Sequence, residues 1–501
     1  MTAAERPAPD GTSALDVFRN GNFLRLWLAQ AATQIGGNMV LFALLLIVRG
    51  ATNSNTAVSL LLLSFLVPAV VLSAVAGVYV DRIDRRLILI ATNLIRGVMF
   101  VALFFVGDNF LLILVLNTAI SVVNVFFSPA EASMIPVVVP RQLLTAANGI
   151  FILTLNAAFA LGFALLGPLV VNIASAEIVI LVVALLFFVA TIFCVALPSA
   201  PPMVEAPVEG GARGAVIQAE HAVESTFGQL REGIGFIRGH REISWSLLYL
   251  GIAASLVGVL GVLGPDFAES TLGLQAKDFA VIVLPLGFGI VMGILLLNAY
   301  GKYLPRRRVI EGGLILLGAM LLLLSIAGQL SQFLQRAEAA TDLIDLSAVT
   351  SLLGVVVVIA FIAGIAYGGV AIPAQTQLQE DLPEEVRGRV FGVLNMLVSV
   401  SSFVPIIAVG PISDLVGTTV VMISLGIAIL VAGILSVIKR GPLRAYEYAA
   451  VADPHAVDPI AAALGADRPS WSEARDPMRS GSEAGGRESP SAFGGDAPDR
   501  D

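Results

Sequence analysis

Twelve continuous apolar runs constrain this chain more than anything else in it. They occupy residues 23–49, 57–80, 87–106, 109–128, 146–171, 177–197, 243–264, 279–300, 309–328, 350–376, 389–411 and 418–438. A hydrocarbon layer is crossed by about 20 helical residues, and every run meets that length. Backbone polar groups in hydrocarbon are satisfied only in helices or closed barrels. Barrel strands would alternate apolar and polar residues, whereas these runs are unbroken, so they read as helices. Composition agrees: 13% of residues are charged, against about 25% in a soluble domain. Too few polar side chains remain to cover a water-exposed surface of this size. The expected class is an all-α polytopic membrane protein with 12 transmembrane helices and an uncleaved first span.

The longest internal break, 198–242, carries Pro198, Pro201, Pro202 and Pro207, then an amphipathic piece from Phe227 to His240. It separates six spans from six, the layout of a duplicated transporter with two pseudo-symmetric six-helix bundles. The expected organisation is a polar segment at 1–22, bundles at 23–197 and 243–438, the linker between them, and a tail at 439–501. That tail is rich in Ala, Gly, Ser, Pro and Asp and is expected to be disordered. From residue 441 onward it holds eleven acids and six bases, so five of the eight net negative charges lie there. The overall acidity gives no footing for nucleic-acid binding. The single cysteine, Cys194, excludes an intrachain disulfide.

Lys and Arg set the expected orientation. With both termini in the cytoplasm, the short inner loops carry Arg82, Arg85, Arg86, Arg141, Lys302, Arg306, Arg307, Arg308, Arg387 and Arg389. The outer loops carry Arg49, Lys277 and Arg336, and they are acidic, with Asp108, Glu177, Asp266, Glu269, Asp342, Asp345 and Asp414.

The most specific local signal is Gly77-Val-Tyr79-Val-Asp81-Arg82-Ile-Asp84-Arg85-Arg86, between the second and third spans. A tight hairpin needs a small residue for close helix approach, and a carboxylate there can face a helix N-terminus. Positive charge alone would only mark the cytoplasmic side; the ordered spacing points to a gate. This segment resembles the loop signature of the major facilitator superfamily, with Tyr79 and Asp84 as departures. The Asp84 variant is similar to the branch that holds macrolide-efflux proteins and the enterobactin exporter. Two further stretches resemble that branch: Ser128 to Pro136 running on to Ala147-Asn148-Gly149, and Leu382 to Gly392 with Arg387, Gly388 and Arg389. The resemblance covers roughly residues 17–440. It implies that Asp81 faces the turn at Gly388–Gly392, and that Arg82 or Arg85 pairs with Glu131 at the end of the fourth span.

The fifth span contains Gly162-Phe-Ala-Leu-Leu-Gly167-Pro168. It partly resembles the glycine-proline element of drug and proton antiporters; simple helix packing around a proline kink explains it equally well. Polar residues recur at helical spacing inside three spans: Gln30, Gln34 and Asn38; Asn117, Ser121, Asn124 and Ser128; Asn395, Ser399 and Ser402. Such stripes either bond between helices or line a wet cavity, and the resemblance places the first two on the pathway. Arg96 lies nine residues into the third span, where its long stem permits snorkelling to the inner surface. No Asp or Glu sits mid-span, so Glu131 and Asp266 are the expected acids for proton coupling.

No P-loop, no metal-ligand spacing and no dinucleotide fingerprint occur. The expected activity is therefore not enzymatic. It is export of an amphipathic or hydrophobic small molecule by alternating access, driven by a proton gradient, without cofactor or metal, by a monomer in the inner membrane. An uptake symporter for a polar solute and a membrane receptor or scaffold acting through the tail are the competing readings.

Overall fold

A computed structural model describes residues 14–80, 82–202, 241–339, 350–380 and 403–440. The described residues are all-helical, without strands. In chain order the helices are α1 Gly21–Thr52, α2 Asn55–Val80, α3 Arg85–Val106, α4 Phe110–Val138, α5 Leu144–Phe159, α6 Gly167–Ile173 and α7 Ala176–Val195. After the linker come α8 Arg241–Ser270, α9 Ala280–Tyr300, α10 Arg306–Ser325, α11 Ala327–Ala339 and α12 Leu352–Glu380. Last are α13 Phe403–Val416 and α14 Thr418–Arg440. Eleven of the described helical segments are long and apolar enough to cross a membrane, counting α5 and α6 as one; α13 is a shorter apolar helix. Its predicted span began at 389, and residues 389–402 lie outside the described residues, as do 441–501.

Helix ends follow local chemistry. Asn20 starts α1 by accepting from the amides of Asn22 (3.0 Å) and Phe23 (3.3 Å), as side-chain caps do. Asn53 ends it in the left-handed conformation (φ 50°), returning its N–H to Arg49 O at 2.8 Å. The hairpin between α3 and α4 turns on Gly107 (φ 61°), and Asn109 caps α4 through the Leu112 amide at 3.1 Å. Inside the unit, α1 and α3 both pack on α7, α2 on α4, α10 on α14, and α12 on α9 and α10. Phe42, Leu44, Leu45, Leu61 and Leu263 are fully enclosed, whereas Phe105, Leu111, Leu185 and Ile192 point outward, the arrangement expected where lipid replaces water.

Three boundaries differ from the sequence reading. α4 does not stop at 128 but runs to Val138 through Pro129 and Pro136, so Glu131 sits within a helix instead of at its end. Neighbouring helices re-satisfy the carbonyls that such prolines free. The break read at Gly410-Pro411 is likewise inside a helix, α13. The fifth span is not one helix: a π-helical turn, Ala160–Leu166, joins α5 to α6. One helix went unread altogether, the polar-faced α11, which Ser331 fastens to the start of α12 by donating to Thr350 O at 2.7 Å.

The Gly364-xxx-Gly368 pair meets α9 backbone to backbone. A Cβ on Gly364 would lie 2.9 Å from the Gly289 Cα, and one on Gly293 would lie 2.9 Å from Ile365 O. Only glycine allows this approach.

Candidate functional site

Four charged clusters lie along the bundle among the described residues. At one end is the loop from Arg82 to Asp84. Asp84 caps α3 through the Arg86 amide (2.9 Å) and accepts from Ser199 Oγ (2.5 Å) and the Ala200 amide (3.2 Å). Burial alone would push its carboxyl up, but these bonds, with the Leu87 amide, hold it below the usual aspartate value. Arg85 is buried and donates Nη1 to Pro201 O at 2.8 Å; Arg86 donates Nη2 to Val195 O at 2.5 Å. Arg82 returns its N–H to Tyr79 O at 3.2 Å. The motif thus fastens the start of α3 to the chain leaving α7. Gly77 lies in α2 with open space where a Cβ would stand. Asp81 lies outside the described residues, as do Arg387, Gly388, Arg389, Asn395, Ser399 and Ser402.

The second cluster is inside the bundle between α3, α4 and α7. Arg96 does not snorkel; it is almost wholly enclosed. It donates to Thr92 O (3.2 Å), Asn124 Oδ1 (2.5 Å) and Asn93 Oδ1 (2.6 Å), with its guanidinium over the rings of Phe127 (4.3 Å) and Phe187 (4.7 Å). Aromatic faces and amide oxygens replace the water an arginine needs. Glu131 is also buried, its Oε1 has no hydrogen-bond partner among the described residues, and its charge and that of Arg96 act on each other. Asn93 closes the cluster by donating to Cys194 Sγ at 3.4 Å.

The predicted polar stripe of α4 reaches this cluster through Asn124. Gln30, Asn117 and Ser121 are buried, and Gln30 Oε1, Asn117 Oδ1 and Ser121 Oγ have no hydrogen-bond partner among the described residues. Asn117 donates to Ser64 Oγ at 2.5 Å, and Asn38 to Gln34 O at 2.8 Å. In the fifth span, Gly162 presses on α1: a Cβ there would lie 2.5 Å from Ile35 O and 2.8 Å from the Asn38 Cβ. Gly167 and the buried Pro168 start α6, against Phe42.

The third cluster is at the opposite end. Arg49 of α1 pairs with Asp266 of α8, and its Nε lies 3.8 Å from Glu269. The other Asp266 oxygen accepts from Asn55 of α2 (3.0 Å) and from the Thr418 hydroxyl of α14. Asp414 of α13 accepts from Ser54 Oγ (2.7 Å), Thr56 Oγ1 (2.6 Å), and the amides of Asn55 (2.8 Å) and Thr56 (3.0 Å). The first two helices are therefore bonded here to three helices from the second half of the chain.

Residues 26–405 match the Major Facilitator Superfamily. The chain belongs to that superfamily. This major facilitator protein is a multi-pass membrane transporter, which implies a small-molecule substrate. It is 24% identical over 430 residues to YfiS of Bacillus subtilis, described as an uncharacterized MFS-type transporter, covering 85% of this chain and 94% of that one. Macrolide efflux protein A of Streptococcus pyogenes is 22% identical over 408 residues, 79% of this chain and 90% of that one. Among solved structures, a variant of the nucleoside transporter NupG superposes with a TM-score of 0.60 at 11% identity, covering 83% of this chain and 99% of that one. A POT family transporter in complex with a thioalcohol-conjugated peptide gives 0.60 at 12% identity, over 83% and 96% of the two chains. At that identity the likeness is one of fold.

Several residues of this transporter's charged clusters escaped sequence reasoning. In the fourth cluster, Glu311 is buried in α10, accepting from Arg307 Nε at 2.9 Å, with Arg308 Nη1 3.5 Å from its other oxygen. It also takes Ser436 Oγ at 3.4 Å, and Ser436 in turn meets Tyr249 OH at 2.6 Å. The arginines had been counted only as topogenic charge; the i, i+4 spacing of Arg307 and Glu311 was the available signal. Nothing in the pattern of Ser54, Asn55 and Thr56 beyond a turn announced their partner in α13.

Proposed function

We propose that the transporter exports an amphipathic or hydrophobic small molecule by alternating access, in exchange for protons. The observation that carries the reading is the closure at the Asp266 end. Side chains from α1 and α2 meet α8, α13 and α14 there through an ion pair and hydrogen bonds, and such contacts are able to break and re-form in each cycle. Lys and Arg counts put this end outside and the Asp84 end in the cytoplasm, together with both termini, in the inner membrane. The likeness to macrolide efflux protein A favours export of a drug-like or siderophore-like compound.

Buried polar atoms need partners. The oxygens of Gln30, Asn117 and Ser121, which lack partners among the described residues, support a pathway in which water or substrate supplies them, with Gln34, Asn38 and Asn124 alongside; Asn395 and Ser399, outside the described residues, are proposed to line it as well. The two acids proposed for coupling differ in kind. Asp266 has both oxygens engaged at a closed mouth, whereas Glu131 keeps one buried oxygen free. On this contrast Glu131 is proposed as the proton carrier and Asp266 as a gate residue. Asp81 and the turn at Gly388–Arg389 are proposed to close the cytoplasmic side.

The test is accumulation of macrolides and siderophores in proteoliposomes under an imposed pH gradient. Gradient-dependent uptake into inside-out vesicles, lost in Glu131→Gln, is the expected result. Gradient-driven transport that survives Glu131→Gln together with Asp266→Asn would remove both acids from coupling, and transport without any gradient would remove antiport.

A further inference from the structure

The first turn of any helix leaves four backbone N–H groups without intrahelical partners, and a partial positive charge. In α2 these groups are divided between local and distant acceptors. Ser54 serves as the local cap: its hydroxyl oxygen accepts from the Ala57 amide (3.3 Å), and its carbonyl takes the first i→i−4 bond of the helix, from Val58 (3.4 Å). Two further end amides, of Asn55 and Thr56, are taken by Asp414, which lies 359 residues from Asn55.

The same carboxylate also accepts the Ser54 and Thr56 hydroxyls, so four hydrogen bonds converge on it. One turn earlier in α13, Gly410 comes so near that a Cβ would stand 2.6 Å from Asn55 O. The cap exists only while α2 and α13 are in contact. Asn55 further couples it to the ion pair, since its buried side chain donates to Asp266 and, at 3.2 Å, to Thr418.

We propose that Asp414 is a releasable cap: a carboxylate lent by α13 to the start of α2, which holds the Asp266 end closed and is withdrawn when that end opens. Separation strips α2 of the acceptor for two of its end amides and leaves Asp414 without four donors. The cap thus weights the conformational equilibrium toward closure at this end. This rests on the alternating-access reading above.

The test uses full-length protein in lipid nanodiscs, with spin labels on exposed sites that take no part in the cap. Ala51→Cys with Val420→Cys reports the Asp266 end; Ile83→Cys with Leu304→Cys reports the Asp84 end. Asp414→Asn should move the ratio of long to short Ala51–Val420 distances by on the order of tenfold, while the Ile83–Leu304 distances shorten. Thr56→Val, which removes one donor of the four, should shift both pairs the same way by less, and it keeps the test open if Asp414→Asn folds poorly. Arg49→Gln lengthening the Ala51–Val420 distance while Asp414→Asn and Thr56→Val leave it unchanged would overturn the cap and leave alternating access standing. If none of the three moves either pair, the cap and alternating access both fall.

Discussion

Asp84 accepts the Ser199 hydroxyl at 2.5 Å, so the turn that opens α3 is fastened to the chain that leaves α7. The bond joins the turn between α2 and α3 to the segment that follows the first set of helices, and it is reinforced by the Ala200 amide on the same carboxylate.

Because hydrogen bonds hold the Asp84 carboxyl below its ordinary value near 3.8, its contribution should be complete above that value. It should be lost only as pH falls through the depressed one. Hydrogen-exchange protection of the Ala200 and Arg86 amides, corrected for intrinsic rates, should therefore be flat between about pH 7 and pH 5. Asp84→Ala should lower it several-fold across that whole range. A fall in wild-type protection already near pH 5 would contradict the depressed value.

Arg96 is expected to be intolerant of change. Arg96→Leu leaves Asn93 Oδ1 and Asn124 Oδ1 without their donor, and a buried acceptor left unsatisfied costs about 1–3 kcal/mol. Thermal unfolding in detergent should show a large loss, with Arg96→Lys also unstable because an ammonium cannot reach two amide oxygens and lie flat on two rings. Pairing Arg96→Leu with Glu131→Gln should recover part of it.

Gly162→Ala and Gly77→Ala form a matched pair. The first would press a methyl to 2.5 Å from Ile35 O, whereas the second meets nothing within 4 Å. Overpacking of this kind costs about 1–3 kcal/mol, so only Gly162→Ala should lower the unfolding temperature measurably.

Orientation is checked by labelling in intact cells. Cysteines at Thr52 and Leu415 should react with an impermeant maleimide, and those at Ile83 and Leu304 should not. Outside labelling at Ile83 would invert the assignment of the two ends.

Hydropathy alone made the spans legible, because length and apolarity are properties of one helix at a time. The α3–α4 hairpin followed from a gap of a few residues. Features set by a partner were not legible in the same way. The fourth span read as ending at 128, yet α4 continues through Pro129 and Pro136 to Val138. Arg96 read as a snorkelling side chain, because the rings of Phe127 and Phe187 and the amides that solvate it come mostly from other helices. Asp414 read as an outer loop acid, since its donors lie over three hundred residues away. Arg82 or Arg85 was expected to pair with Glu131 across a loop and a helix end; Arg85 donates to the Pro201 carbonyl, a partner no spacing announced.

The glycine crossing of α9 and α12 has a practical consequence for anyone measuring motion in this protein. Two backbones in contact at Gly289 and Gly364, and again where Gly293 faces Ile365, cannot slide past each other by a residue without collision. The pair therefore travels as one strut. A probe placed on the exposed side of α9, at Phe288 or Leu295, reports the displacement of α12 as well, so a single labelled site there reads out a helix whose own surface is largely hidden.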